Sequence, residues 1–341
     1  MNNLKLLVMW QLLSVAMMEV VLIGQGQSQS LPVAFDVQQI SSTAWNTPDG
    51  IAYTQVPGAN LGATSFEVLS SNRIAFLCNS SSEITIVNTA DGKAIQRFPV
   101  AFAPRDFVND KGRFYVLSQL QVDVYDENGK AVNSFTFPQT YAGVERMARC
   151  NGSTWLLLPS GNSAMIETNG QIVELQELEG WITSSGNRVA TKLVGEGSYT
   201  ITLYSESEGK SESTFQTDKK VAGVYVVGVT KDRIYIDVQT FLSENPIRVE
   251  RKMVSIAVDN LTMGKIVAEI KIPDVYYVLS NKDFAVSMEG KLYTMISDEE
   301  GIFVFSLSEI ETGKGTSRPL PDFLTNKSYH FNDHLMKIDS E

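Results

Sequence analysis

The sequence predicts an all-β fold, a six-bladed β-propeller of four-stranded antiparallel blades whose ring is closed by an N-terminal strand. Two recurring markers predict it. A Gly followed by Lys or Gln marks one turn in each of six units, at spacings of about 37 to 55 residues from Gly92-Lys93 to Gly313-Lys314. A turn followed by an apolar strand precedes each of them, in the segments SSNRIAFL, DKGRFYVL, CNGSTWLLL, SGNRVATKL, TKDRIYID and MEGKLYTM. Periods near 40 residues with about four short strands are typical of propellers, in which each sheet covers the apolar faces of its neighbours.

The first two repeat units predict four strands each. In the second unit PRDFVND is the predicted inner strand, followed by RFYVLSQL, QVDVYDE and the outer KAVNSFTF. In the first unit the corresponding segments are SFEVLSS, NRIAFLC, EITIVNT and KAIQRFPV. Asn128-Gly129 predicts a two-residue hairpin turn between the last two strands of the second unit, because both central residues of such a turn need positive φ. Helical periodicity of useful length is absent from the sequence after residue 30, which disfavours an α/β fold.

The sixth unit lacks a good outer strand of its own. That strand would fall in TSRPLPDF, where Pro319 and Pro321 cannot donate ladder hydrogen bonds. A strand from the N-terminal region, either LPVAFDVQQ or GIAYTQVP, is the better candidate and would bring the two ends of the chain into one blade. The expected organisation is an N-terminal segment with the closing strand at 29–61, the propeller at 62–322 and a tail at 323–341. A seventh, irregular unit at 31–64 stays open.

The N-terminus and the net charge limit where the protein works and what it binds. Residues 1–28 read as a signal peptide, because Lys5 precedes an apolar run that ends near small residues suited to cleavage. A retained signal anchor is the alternative, since the apolar stretch continues to Ile23, although Glu19 disfavours a stable span. No later stretch approaches the length of a membrane span, so we expect a soluble mature chain, secreted or periplasmic and monomeric. A formal net charge of -11 and a pI of about 4.8 disfavour nucleic acid as a partner, since a phosphate backbone would be repelled.

The best repeat units resemble a known family. The segments ITIVNTADGKAI and VDVYDENGKAV are similar to the repeats of NHL-type six-bladed propellers found in exported bacterial proteins, and the resemblance covers roughly residues 62 to 320. It implies a disk with a central channel and two loop-bearing faces. Propellers of this kind include enzymes and binding modules alike, so the resemblance by itself leaves the function open.

Two functions are compatible with such a channel. The favoured one is a non-catalytic binding or scaffold propeller without a cofactor, engaging a protein or a glycan through its loop faces. The alternative is a hydrolase of the gluconolactonase or lactonase kind, dependent on Ca²⁺ or another divalent cation. Its candidate ligands are oxygen donors predicted on or near inner strands, Glu67, Asp106, Asn109 and Glu145. Arg105 and Arg146 stand next to two of these acids, so mutual neutralisation of charge explains them equally well.

Aromatic residues divide into expected core and expected surface. Trp45, Tyr276 and Tyr277 lie outside the predicted strands and are the candidates for ligand binding at a rim, because an aromatic ring with a polar group makes a good anchor for a sugar or a peptide. Five others lie in strand-like runs and are predicted to be core: Trp155, Trp181, Tyr204, Tyr225 and Tyr235.

Other catalytic sites find little support in the sequence. The two histidines, His330 and His334, both lie near the C-terminus, and neither a nucleophile elbow nor a phosphate-binding glycine loop occurs. The two cysteines, Cys78 and Cys150, match no metal motif. They form either one disulfide or two buried thiols.

Overall fold

The computed structural model describes residues 33–310, except 58, 167–171, 184–185, 206–208, 231, 259–265, 273–276, 279 and 288. The predicted signal peptide at 1–28, the C-terminal tail at 323–341, the segment TSRPLPDF and both histidines lie outside the described residues. Within the described part, the chain is all β-structure apart from a single 3-10 turn at Gln139–Tyr141. No helix in that part has the length and apolar character needed to cross a membrane.

Six sets of strands make up the sheets, together with a small hairpin. The chain opens with β1 (Val33–Ala44) and the hairpin of β2 (Thr54–Val56) and β3 (Ala59–Leu61). Four antiparallel four-stranded sheets follow: β4 (Ala63–Ser70), β5 (Arg73–Cys78), β6 (Glu83–Asn88) and β7 (Ala94–Pro99); β8 (Asp106–Asp110), β9 (Arg113–Leu117), β10 (Gln121–Tyr125) and β11 (Ala131–Thr136); β12 (Arg146–Cys150), β13 (Ser153–Leu157), β14 (Asn162–Ile166) and β15 (Ile172–Glu179); β16 (Trp181–Ile182), β17 (Arg188–Gly195), β18 (Ser198–Ser205) and β19 (Gly209–Gln216). The predicted strands of the first two repeat units are confirmed.

An eight-stranded sheet contains the rest of the strands. Its C-terminal members are β20 (Val221–Val229), β21 (Arg233–Glu244), β22 (Ile247–Ala257), β23 (Ile266–Ile272), β24 (Phe284–Val286), β25 (Leu292–Ser297) and β26 (Gly301–Glu309). The strand order is β20-β21-β22-β23-β1-β26-β25-β24. β1 pairs antiparallel with β26 from Phe35 opposite Glu309 to Ala44 opposite Gly301, and it joins β23 through a short parallel contact. The sheet therefore consists of two antiparallel four-stranded sets that meet at β1 and β23.

The burial of successive strands explains how the sheets pack. The middle strands β5 and β6 are buried along almost their whole length, so both of their faces are covered. The last strand of a set is different: β11 and β19 expose most of their residues or alternate between exposed and buried ones. A sheet covered on both faces needs a neighbouring sheet on each side. Multiple four-stranded antiparallel sheets packed in this way fit a β-propeller.

Apolar clusters lie between sheets that follow each other in the chain. Phe98, Phe107 and Phe114 belong to one cluster that joins the first sheet to the second. Another cluster joins the first sheet to the last set of strands, where Phe66 and Val304 are both fully buried. The core is thus divided into layers between sheets.

The hairpin turn at Asn128-Gly129 differs from the predicted type. Only Gly129 has positive φ, at 80°, and the strand pairing resumes at Tyr125 opposite Ala131, so the turn is longer than two residues. The Asp126 carboxylate causes this: its Oδ1 accepts hydrogen bonds from the backbone N–H of Asn128 and of Lys130, both at 2.9 Å. The two-residue prediction is therefore wrong, because a local side-chain bond favours a longer turn with one glycine in the left-handed region.

Replacing Phe35 by Ala tests the packing of β1 on its neighbours. Phe35 is 1% exposed in a cluster with residues of β22, β25 and β26, and we expect the free energy of unfolding to fall by about 3 to 5 kcal/mol, as for other buried Phe-to-Ala changes. Ile95→Ala, at a side chain 56% exposed, is the control and should cost less than about 0.5 kcal/mol. Equal denaturant midpoints for the two variants would contradict the packing of β1.

Candidate functional site

Asp106 connects the first strands of three successive sheets. Its side chain is fully buried at the start of β8. Oδ1 accepts a hydrogen bond from the Ser65 hydroxyl of β4 at 2.7 Å, and Oδ2 accepts one from the backbone N–H of Met147 in β12 at 3.0 Å. A buried carboxylate is stable only when hydrogen bonds or a cation replace its hydration. This carboxylate is therefore part of the framework that holds the three strands together.

Lys282 is the cation of this group. Its ammonium forms an ion pair and a hydrogen bond with Oε1 of Glu67 in β4 and lies 3.9 Å from Oδ1 of Asp106. The side chain of Lys282 is 9% exposed and that of Glu67 is 19% exposed. Burial raises the pKa of Glu67 above its usual value of 4.5, and the opposing effect of Lys282 only partly offsets it. The ammonium lies between Glu67 and Asp106, two of the three carboxylates that the sequence proposed as metal ligands.

The other two proposed metal ligands lie apart from this pair. Asn109 is three residues along β8 from Asp106, and an odd separation on a strand places the two side chains on opposite faces. Glu145 is exposed just before β12. Among the residues that the structure describes, no group of three or more His, Cys, Asp or Glu side chains is arranged to hold a metal ion. The structure thus brings Glu67 and Asp106 together, with a lysine between them that the sequence analysis did not select.

A second buried ion group centres on Arg251 of β22. Its Nη2 lies 2.6 Å from Oδ2 of Asp237 in β21, and its Nη1 lies 2.8 Å from Oδ2 of Asp283, just before β24. The side chains of Arg251 and Asp237 are each only 5% exposed. Gln239 donates a further hydrogen bond to Asp237 at 3.1 Å. This group joins strands of the eight-stranded sheet that come from its two halves.

Both ion groups border one cavity of about 490 Å³. It lies where residues near β12, β16 and β20 approach the segment that precedes β24. Its lining combines three basic, three acidic and three aromatic side chains: Arg146, Arg251, Lys282, Glu145, Asp237, Asp283, Trp181, Tyr225 and Phe284. A concave site with aromatic walls and a few polar groups is the usual form of a small-molecule pocket.

The prediction that Tyr225 belongs to the core is wrong. Its side chain is 48% exposed and lines the cavity, whereas Trp155 and Tyr235 are buried as expected. Alternation along β20 decides this, because Val224 and Val226 on the other face of the strand contact the apolar cluster of the preceding sheet. Tyr225 therefore belongs to the candidate site, although the sequence analysis had assigned it to the core.

The predicted rim aromatics partly assemble into a cluster. Trp45 and Tyr277 come together through Tyr53, which the sequence analysis did not select: the Tyr53 ring is 5.3 Å from Trp45 and 5.6 Å from Tyr277, between centroids. The Tyr53 and Tyr277 hydroxyls lie 3.2 Å apart, and the Trp45 indole N–H donates to the Asp298 carbonyl at 2.7 Å. All three side chains are partly exposed. Tyr276 lies outside the described residues.

Cys78 and Cys150 are both buried and are not joined in a disulfide. Burial raises the pKa of the Cys78 thiol to about 12. A thiol of such high pKa is a poor nucleophile at neutral pH, because the thiolate is the reactive form. Of the two possibilities that the sequence left open, the structure has the buried thiols.

Comparisons with known proteins are limited to remote structural likeness. No family model matches the chain, and no curated protein matches it. Among solved structures, the Neurospora crassa Pan2 WD40 domain is 12% identical with a TM-score of 0.49 and covers 83% of this chain and 98% of its own. A luciferin-regenerating enzyme is 10% identical over 83% and 98% of the two chains, with a TM-score of 0.43. Hydrazine synthase from Kuenenia stuttgartiensis is 15% identical over 73% and 75%, with a TM-score of 0.44. At this level of similarity they carry no information on function.

Replacing Arg251 by Met tests whether the second ion group is structural. The change leaves Asp237 buried without its cation, so the free energy of unfolding should fall by about 3 to 5 kcal/mol. Lys220→Met is the control, since Lys220 and Glu244 form a 2.7 Å ion pair with side chains 44% and 61% exposed, and it should cost less than about 1 kcal/mol. Similar chemical denaturation curves for the two variants would contradict the assignment.

The stability of the protein should depend on pH in opposite ways through Glu67 and Glu250. Since the pKa of Glu67 is raised above 4.5 in the folded state, its contribution to stability is present below pH 4.5 and is lost as pH rises through the folded-state pKa. Hydrogen bonds from Lys219 and Lys271 lower the pKa of Glu250 to about 2. Its contribution is present above pH 4.5 and is lost as pH falls toward 2.

Thermal unfolding across this pH range checks both signs. Relative to the wild type, Glu67→Gln should gain stability as pH rises above 4.5, because the variant has no carboxyl group to ionise at that position. Glu250→Gln should lose stability relative to the wild type as pH rises from 2 to 4.5. A difference for Glu67→Gln that does not change with pH, or that has the opposite sign, would refute the raised pKa.

Proposed function

We propose that this protein is a six-bladed β-propeller, closed by β1 as the outer strand of the last blade, with a non-catalytic binding role. Three observations support the blade count and the closure. There are four separate four-stranded sheets and two further four-stranded sets. β1 pairs with β26 along most of its length. The apolar clusters join each set to the next and the first set to the last.

The partners of the buried carboxylates favour a binding role over hydrolysis. The two inner acids of the proposed metal site, Glu67 and Asp106, already have Lys282 as their cation, and Asp237 and Asp283 already have Arg251. A general base or a metal ligand must direct its carboxylate oxygens toward the substrate or the metal ion. These oxygens are instead occupied by groups of the same chain: the basic side chains and, at Asp106, the Ser65 hydroxyl and the Met147 backbone N–H. The alternative of a metal-dependent hydrolase therefore has weaker support than a binding role.

The cluster of Trp45, Tyr53 and Tyr277 is the proposed contact surface for a protein or a glycan. Stacked, partly exposed rings with hydroxyl and indole groups combine apolar area with hydrogen bonding, which is why tyrosine and tryptophan dominate recognition hot spots. The targeting features of residues 1–28 support an export route, with the protein acting in the cell envelope or outside the cell. The similarity of its repeat units to NHL-type propellers of exported bacterial proteins agrees with this location.

Binding to a glycan microarray and to a library of displayed peptides tests the proposal. We expect a ligand whose affinity falls by about tenfold or more in Tyr53→Ala and in Tyr277→Ala, because each change removes one ring of a hot spot. Phe102→Ala is the matched control, since Phe102 is 89% exposed and lies outside this cluster. It should bind as the wild type does.

Two results would overturn the proposed function. One is a ligand profile that is the same in the wild type and in both tyrosine variants. The other is hydrolysis of lactones by the purified protein that is lost in Asp106→Asn while the variant remains folded. The second result would move the assignment to the hydrolase alternative.

A further inference from the structure

Arg146 is the exception among the basic side chains of the cavity. Arg251 and Lys282 each have carboxylate partners. Arg146, at the start of β12, makes no ion pair and no hydrogen bond with any residue that the structure describes, and its Nε is buried without a partner. Its guanidinium lies 5.2 Å from the centre of the Trp181 ring. A buried donor without an acceptor is costly, and in native proteins it calls for an explanation.

Tyr225 provides the second observation in the same cavity. The ring packs over Gly223, two residues earlier on β20, where an added Cβ would lie 2.6 Å from Cε2 and 2.7 Å from the hydroxyl oxygen of Tyr225. Glycine at 223 therefore allows the ring to lie against its own strand. Since the side chain is still 48% exposed, part of the ring faces the cavity and is available for contact with a ligand.

The charges around the cavity do not exclude an anion. Three basic and three acidic side chains line it, so the lining is formally neutral. Asp237 and Asp283 are directed at Arg251, and Glu145 is exposed to solvent, where its charge is screened. Glu67 and Asp106 lie next to Lys282, and Arg146 lies near enough to Glu67 to lower its pKa but forms no ion pair with it. The donors of Arg146 are thus the strongest unused polar groups of the described lining.

We propose that this cavity binds a small carboxylate that carries a ring. The guanidinium of Arg146 would take the carboxylate, because its fork of N–H groups matches two carboxylate oxygens, and the ring would pack on Tyr225. A volume of about 490 Å³ is in the range of small-molecule sites. The proposal rests on the binding role proposed above and adds a ligand class and a site distinct from the Trp45 cluster. An acidic sugar and an aromatic carboxylate both combine a carboxylate with a ring, so both belong to this ligand class.

Calorimetric titration of the full-length protein with four probes tests the proposal. D-glucuronate and benzoate represent the two sources, and D-glucose and benzyl alcohol are their neutral counterparts. We expect saturable binding of at least one carboxylate, with its neutral counterpart weaker by about tenfold or more, since a hydrogen-bonded charge pair is lost. Arg146→Gln and Tyr225→Ala should each weaken that binding by about tenfold or more. Phe102→Ala, at a side chain that is 89% exposed and outside both the cavity and the Trp45 cluster, should leave it unchanged.

Every other result overturns the assignment. It fails when neither carboxylate binds, when a neutral counterpart binds as tightly as its carboxylate, or when Arg146→Gln binds as the wild type does in a variant with an unchanged melting temperature. NMR of the bound probe distinguishes a failure of this carboxylate site from a failure of the proposed non-catalytic function. A carboxylate that binds through Arg146 and is then converted to a product would refute the non-catalytic role and leave the site in place.

Discussion

The need to cover both apolar faces of every four-stranded sheet is the constraint on which this structure depends. β5 and β6 are buried on both sides, which a single partner sheet cannot achieve. Each sheet therefore packs between two others, and the same requirement brings the first sheet against β25 and β26, where Phe66 and Val304 share a cluster. β1, from the N-terminal side, pairs antiparallel with β26 of those strands.

This packing directs the first strands of the sheets toward one another, and their polar side chains lose water there. The carboxylates in this region are consequently joined to donors from other strands. Asp106 takes hydrogen bonds from Ser65 and Met147, and Asp237 takes them from Arg251 and Gln239. Such buried ion groups are expensive to break, and they help to specify which strands lie side by side only when every member has a partner. Among the residues that line the cavity, Arg146 has a buried side-chain donor without a partner, and a ligand there would supply the missing acceptor.

The internal repeat places equivalent residues in different roles. RDFV at 105–108 and KDFA at 282–285 have the same pattern of a basic residue, an Asp and a Phe at the entry to a first strand. Arg105 donates to the backbone carbonyls of Ala142 and Val144, whereas Lys282 pairs with Glu67. The pattern marks both positions as sites where charged side chains lie at the start of a first strand. Their partners differ because the neighbouring sheets present different groups.

The sequence by itself determined where the strands and turns of the first two units lie, that the chain is built from repeated β-sheets, and that Glu67 and Asp106 lie on first strands. These features follow from local signals, namely the alternation of apolar residues and the turn residues between them. Only the tertiary structure decided that Lys282 meets Glu67 across 215 residues, that Tyr53 joins Tyr277 across 224 residues, and that Tyr225 faces a cavity. The physical reason is that alternation tells which residues share a face of a strand, whereas the identity of the neighbour on that face depends on how sheets from distant parts of the chain pack together.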